Sequence, residues 1–146
     1  MVLLSAVFLL THPGAVRADD EDVITYRQLI MKQLDAEAAA LGMMLSGQIP
    51  PDSLALEAKS LANAAKAARK AFEPKVLGGE AKPEVWSKWD DFAKRMDTFA
   101  EKSQQMAAAA ETNNVASVTE LMIAATPCKS CHESYRNKKK SQEDER

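Results

Sequence analysis

The sequence lacks the features that define several classes of protein. Its 146 residues carry a formal net charge of −2, whereas nucleic-acid-binding proteins need a strongly basic surface. Its apolar run near the start, residues 2–10, is shorter than the roughly 20 residues that a membrane-spanning helix needs. Valine and isoleucine rarely cluster, so no segment has the pattern of a β-strand. With only two cysteines and two histidines, the chain has few side chains that can bind a metal.

Residues 1–18 have the pattern of a secretory signal peptide. The apolar run is followed by a break at Pro13-Gly14, and residues 16–18 are suited to cleavage. No Lys or Arg precedes the run, and an uncleaved N-terminal anchor is the alternative. We predict export to a bacterial periplasm, one domain over residues 19–140 and a polar tail over residues 141–146. We expect the cleaved chain to bind neither membranes nor nucleic acid.

The spacing of apolar residues at steps of three and four predicts an all-α chain. Gly47 with two following prolines, the Gly78-Gly79 pair and an N-cap at Asn114 separate the helices. The last helix is expected to kink at Pro127, which has no backbone N–H to donate. The sequence therefore predicts an antiparallel up-down-up-down four-helix bundle, with helices over about residues 20–45, 53–72, 84–111 and 115–138.

Near the C-terminus, residues 128–132 form a Cys-x-x-Cys-His motif, the attachment signature of a c-type haem. If this stretch is helical, Cys128 and Cys131 lie one turn apart on the same face. Two thioether bonds to the vinyl groups of one porphyrin can then form. His132 follows at the edge of that face and can reach the iron as its proximal ligand.

The motif has three alternative interpretations. A thioredoxin-like redox pair follows a strand, and no strand pattern precedes Cys128. A zinc site needs about four ligands, and this motif supplies three. A structural disulfide is also possible between the two cysteines. Haem attachment is favoured because His12 lies in the predicted signal peptide, so His132 becomes the only histidine of the mature chain and directly follows its only cysteines.

The predicted helices also indicate what surrounds such a cofactor. The third helix carries four of the six Phe and Trp residues of the chain, and we expect one or two of them to contact the porphyrin. The second helix has an Ala-rich face that allows a neighbouring helix to approach closely. On the fourth helix, Val115, Val118, either Leu121 or Met122, and Ala125 are expected to pack inward.

Two further motifs carry a resemblance to a known family. Tyr26-Arg27-Gln28 lies in the first helix, and residues 82–86, Lys-Pro-Glu-Val-Trp, open the third. Tyr135-Arg136 follows the haem motif. With these residues, the chain resembles the class II c-type cytochromes, the cytochrome c′ and cytochrome c-556 family, over about residues 20–140. Mitochondrial-type cytochromes c differ because their haem motif lies near the N-terminus.

The resemblance implies a set of residues around one covalent haem c. Cytochromes c′ leave the second axial position of the iron empty behind an apolar residue, whereas the c-556 type supplies a methionine there. The residue at that position, four after Arg27, is Met31, which is either an iron ligand or an apolar lid. Arg27 is expected at a haem propionate, and Trp86 and Arg136 beside the haem. The alternatives are a surface cation at Arg27 and one more tail charge at Arg136.

The resemblance also implies two functions. The first is a periplasmic single-electron carrier with a haem ligated by His132 and Met31, which serves transient redox partner proteins. The alternative is a five-coordinate cytochrome c′-type protein that binds nitric oxide or carbon monoxide. An enzyme is not expected, because a peroxidase needs a distal acid–base group and no second histidine remains. Family members are often dimers through their first two helices, so a homodimer is possible.

Overall fold

The computed structural model describes residues 18–126 and 128–138. Within these residues it contains six helices and no strand. Neighbouring helices pack in the order α1, α2, α4, α5, and the short α3 and α6 extend α4 and α5. The predicted all-α four-helix bundle is therefore confirmed. The helices are α1 (Asp20–Leu45), α2 (Leu54–Ala71), α3 (Glu84–Ser87), α4 (Trp89–Glu111), α5 (Val115–Ala125) and α6 (Cys128–Tyr135).

Helix α1 has the predicted bounds because both of its ends are capped. Asp19 accepts a hydrogen bond from the backbone N–H of Asp22 at 2.8 Å, and Asp22 accepts one from the N–H of Asp19 at 3.4 Å. This capping box satisfies two N–H groups that the first turn leaves without partners. The helix ends at Ser46, and Gly47 follows with a positive φ of 73°, which glycine adopts without steric cost.

The predicted third helix is wrong in one respect, because it is two helices. Lys88 leaves the helical region, with φ −122° and ψ 43°, and separates α3 from α4. The short α3 is held by the Trp86 indole, whose Nε1 donates to the carbonyl of Phe72 at 3.1 Å. This hydrogen bond links α3 to the end of α2. Helix α3 is therefore held by α2 and does not simply continue into α4.

The predicted fourth helix is likewise divided. Thr126 has φ −109° and ψ 57° and separates α5 from α6, as expected for a residue before proline. Pro127, where the kink was predicted, lies outside the described residues, as do residues 1–17 and 139–146. Val115 is 39% exposed and does not pack inward as predicted, whereas Val118 and Ala125 are buried.

The core lies where α2 packs against α1 and α4. Ala58, Ala65 and Ala68 of α2 are completely buried, and their small side chains let the neighbouring helices approach closely, as the sequence predicted. The largest completely buried side chains of this core are Leu41, Leu54, Leu61 and Met106.

Among residues 18–126 and 128–138, no helix is long and apolar enough to cross a bilayer.

Helix α6 is attached to the bundle mainly at its C-terminal end. The Tyr135 hydroxyl donates to the carboxylate of Asp91 on α4, and its ring packs edge-on against Phe92 at 5.1 Å between centroids. The Tyr135 carbonyl accepts a hydrogen bond from the N–H of Lys82 at 2.9 Å. These contacts position the predicted haem motif, which lies one turn earlier on the same helix.

The loop between α2 and α3 approaches both α1 and α6. Gly79 has φ +62°, and a Cβ placed there would lie 2.9 Å from Cγ2 of Ile24 on α1. One residue further, Glu80 accepts a hydrogen bond from the N–H of Asn137 at 2.8 Å. The sequence predicted only a break between helices at Gly78-Gly79, but this loop contacts both the start of α1 and the residues after α6.

Replacing Tyr135 by Phe should destabilise the protein more at neutral pH than in acid. The Tyr135 hydrogen bond, followed by that of Arg95, holds the pKa of Asp91 below its usual value. A depressed carboxyl pKa contributes stability above the unfolded pKa of about 3.9, and the contribution is lost as pH falls through the folded pKa. Denaturant unfolding at pH 7 and pH 3 measures this difference. The control is Tyr26→Phe, at the second tyrosine, which is exposed. This variant should leave the free energy of unfolding unchanged at both pH values.

Replacing Gly79 by Ala should destabilise the fold by about 1–2 kcal/mol, the cost of the left-handed conformation for an L-residue. The added Cβ also crowds Ile24. The matched control is Gly42→Ala inside α1, where no atom lies within 4 Å of the new Cβ. That change should instead stabilise the protein by roughly 0.5–1 kcal/mol. Thermal unfolding of both variants provides the comparison, and equal effects would contradict the expectation.

Candidate haem site

One cavity of about 420 Å³ lies between the N-terminal half of α1, the first half of α4, helix α6 and the loop after α2. Its size falls within the usual range for cofactor pockets. Six of the seven residues that the sequence predicted for the site line it together. They are Arg27, Met31, Cys128, Cys131, His132 and Arg136.

Helix α6 forms the wall that carries the haem motif. Cys128 is exposed and Cys131 is half-buried, and both are free thiols in the structure. Partial burial against the cavity raises the pKa of each thiol. Burial, and then the charge of Arg136, lowers the pKa of His132. The imidazole therefore stays neutral at pH 7, which is the form that binds a metal.

Arg27 is the most unusual residue of the cavity. It is only 3% exposed, and its Nη1 and Nη2 have no hydrogen-bond partner among the residues that the structure describes. Its guanidinium lies 5.4 Å from the ring centroid of Phe72 and 5.0 Å from that of Trp86. Burial lowers its pKa, so the cation is poorly solvated. A buried guanidinium with free donors fits a ligand that brings a carboxylate, as the propionates of haem do.

Trp86 is the one predicted site residue that does not line the cavity. It is absent from the cavity wall and stacks on Arg27 from behind, while its indole N–H is bonded to Phe72. Its observed contact is with the guanidinium. The aromatic residues of the third predicted helix that do line the cavity are Phe92 and Phe99.

The cavity wall combines two candidate iron ligands with an apolar floor. Met31 on α1 is half-buried and faces the same space as His132 on α6. The buried floor is apolar, which suits the flat face of a porphyrin. It consists of Phe72, Val85, Phe92 and Met96.

Arg136 closes one edge of the cavity through an ion pair. Its Nε and Nη2 donate to one carboxylate oxygen of Glu80, at 2.6 and 2.5 Å. The guanidinium is therefore engaged by the loop after α2, and Arg136 remains at the cavity edge as a paired charge.

Sequence reasoning missed several residues of the wall. Lys32 and Asp35 on α1, and Glu80 in the loop, all line the cavity. Asp35 follows Met31 by one helical turn, so the same spacing that identified Met31 could have identified it. The loop has no comparable local pattern, because long-range contacts place it there.

Comparisons with known proteins agree with this geometry. A family model described as Cytochrome C′ matches residues 22–136. The chain is 28% identical over 125 residues to a cytochrome c′ of Alcaligenes xylosoxydans xylosoxydans, covering 84% of this chain and 98% of that protein. It is 29% identical over 129 residues to a cytochrome c-556 of Agrobacterium fabrum, covering 86% and 87%.

Solved structures show the same likeness in three dimensions. Recombinant native cytochrome c prime from Alcaligenes xylosoxidans superposes with a TM-score of 0.77 at 26% identity, covering 84% of this chain and all of that one. A nitric oxide complex of a variant of that protein gives a TM-score of 0.78 at 27% identity, covering 85% and 100%. Because the family model, the relatives and the fold agree over the same residues, the chain belongs to the cytochrome c′ family of class II c-type cytochromes, whose members carry a covalently attached haem c.

Proposed function

We propose that the protein is an exported single-electron carrier in which Cys128 and Cys131 attach the haem and His132 and Met31 are its axial ligands. When bound, haem supplies reversible one-electron chemistry between ferric and ferrous iron. In this role the cysteines and the axial ligands turn over no substrate. The function that we propose is therefore not that of an enzyme.

The observation that supports this proposal is the pairing of an imidazole on α6 with a thioether on α1 at one cavity. His132 offers a neutral nitrogen. Met31 offers a soft sulfur, and a methionine ligand raises the reduction potential. Met96 also lines the cavity from α4, but it is buried in the core. Met31 is therefore the first candidate for the sulfur ligand, and Met96 is the one to test beside it.

Arg27 has a separate role in the proposal. Its buried Nη1 and Nη2 are free to donate two parallel hydrogen bonds to a carboxylate, a geometry that lysine cannot provide. Trp86 and Phe72 hold the guanidinium between them. Trp86 therefore contributes by positioning Arg27, while the apolar floor excludes water from the centre of the cavity.

A second candidate function is binding of a small gas at an open axial position. The comparisons favour this candidate, because the solved structures include nitric oxide and carbon monoxide complexes of cytochrome c prime variants. The Alcaligenes relative is likewise a cytochrome c′. In this case Met31 is an apolar lid over the cavity. The cytochromes c-556 and c-554 among the relatives leave the first candidate open to test.

Replacing Met31 by Leu separates the two candidates, because leucine preserves the volume but removes the sulfur. If Met31 is a ligand, the ferric wild type has a low-spin spectrum with a sulfur-to-iron charge-transfer band. The variant should then lose that band, become high-spin, bind carbon monoxide readily and have a lower potential. Absorption spectra of both redox states and a redox titration measure these changes.

The controls for this experiment are Met96→Leu, inside the cavity, and Met43→Leu, exposed outside it. Both should keep the low-spin spectrum. A wild type that is already high-spin would establish the gas-binding candidate instead. If Met96→Leu loses the low-spin spectrum and Met31→Leu keeps it, Met96 is the sulfur ligand instead of Met31.

Mass spectrometry of the protein from a bacterial periplasm tests export and attachment together. We expect cleavage after Ala18 and an added mass of one haem, because both cysteines line the cavity beside His132. Cys128→Ala and Cys131→Ala should each leave a single thioether bond, and the double variant none. An unmodified polypeptide, from a host that attaches haem to a known c-type cytochrome, would contradict the proposal.

A further inference from the structure

The charged side chains of the cavity wall differ in whether they are paired. Arg95 donates to Asp91 at 2.8 Å, and Arg136 is bound to Glu80. Lys32 and Asp35 also line the cavity, but neither forms an ion pair or hydrogen bond with another residue that the structure describes. A paired charge is largely cancelled at a distance by its partner. The field of an unpaired charge is reduced only by solvent.

The position of Asp35 places its charge beside the haem motif. Asp35 lies one turn after Met31 on α1, and Arg27 lies one turn before it. The wall formed by α1 therefore carries a cation, a thioether and an anion in succession. The carboxylate of Asp35 lines the same cavity as Cys128 and His132 of α6.

We propose that the Asp35 carboxylate lowers the reduction potential of the haem held in this cavity and that Lys32 opposes it. Reduction adds one electron to ferric iron, supplied by a mediator or a redox partner, and lowers the net charge of the site by one. A nearby anion stabilises the more positive, oxidised state, and a nearby cation stabilises the reduced state. The inference rests on haem binding alone and holds for either candidate function.

The effect should be moderate because both side chains are exposed to solvent. Exposed charges are screened by salt, with a Debye length of about 30 Å at 0.01 M and about 3 Å at 1 M ionic strength. We therefore expect removal of either charge to change the ferric–ferrous equilibrium constant by about twofold to tenfold at low salt. The change should become much smaller at 1 M salt.

Redox titration of the purified holoprotein with mediator dyes tests the inference. Asp35→Asn should raise the midpoint potential, Lys32→Gln should lower it, and the double variant should lie between them. Asp35→Glu retains the charge and should keep the wild-type potential. Asp52→Asn is the matched control, because it removes the same charge from the loop between α1 and α2, away from the cavity.

Three results would overturn the inference. The first is an Asp35→Asn shift no larger than that of Asp52→Asn. The second is an equal shift in Asp35→Glu, which would show that side-chain packing and not charge is responsible. The third is an altered absorption spectrum in Asp35→Asn, which would show that the residue acts on the ligands. A shift of Asp35→Asn confined to low salt, with the spectrum unchanged, supports it.

Discussion

The structure depends on a positive charge buried where the bundle opens. Arg27 is enclosed by Phe72 and Trp86, and two of its nitrogens have no partner among the described residues. Leaving a buried charged donor unsatisfied costs more than a neutral one, whose cost is about 1–3 kcal/mol. The fold tolerates this cost in a cavity whose predicted occupant carries carboxylates. The same residue thus connects the aromatic packing of α2 and α3 to the chemistry of the haem site.

The bundle is divided along its length into a solid half and a hollow half. In the solid half, α2 packs against both α1 and α4, and Leu41, Leu61 and Met106 of these helices are completely buried. In the hollow half, the N-terminal part of α1 faces the cavity. Since interiors normally pack densely, the space left in the hollow half indicates a site for a ligand.

The helices and the haem motif could be predicted from the sequence, and the loop could not. The bounds of α1 followed from local signals, namely the acidic cap at Asp19 and the glycine after Ser46. The break at Lys88 was missed because it takes a single residue out of the helix and leaves the apolar spacing intact, whereas the interruption at Thr126 lies beside Pro127, where the sequence predicted a kink. The bridge between Ala81 and Arg136 joins residues far apart in sequence, and no local pattern encodes such a contact.

The candidate functions differ at one half-buried side chain, and this explains why family likeness leaves them close. The chain is similar to relatives named cytochrome c′ and cytochrome c-556 at nearly the same identity, 28% and 29%, so similarity over the whole chain does not separate the two types. Exchanging methionine for leucine changes side-chain volume little and costs less than about 1.5 kcal/mol in a core. Under the proposed function, an exchange at position 31 would change the ligation of the iron without disturbing the bundle. The family identifies the cofactor, and the choice between the two candidates rests on the side chain at that single position.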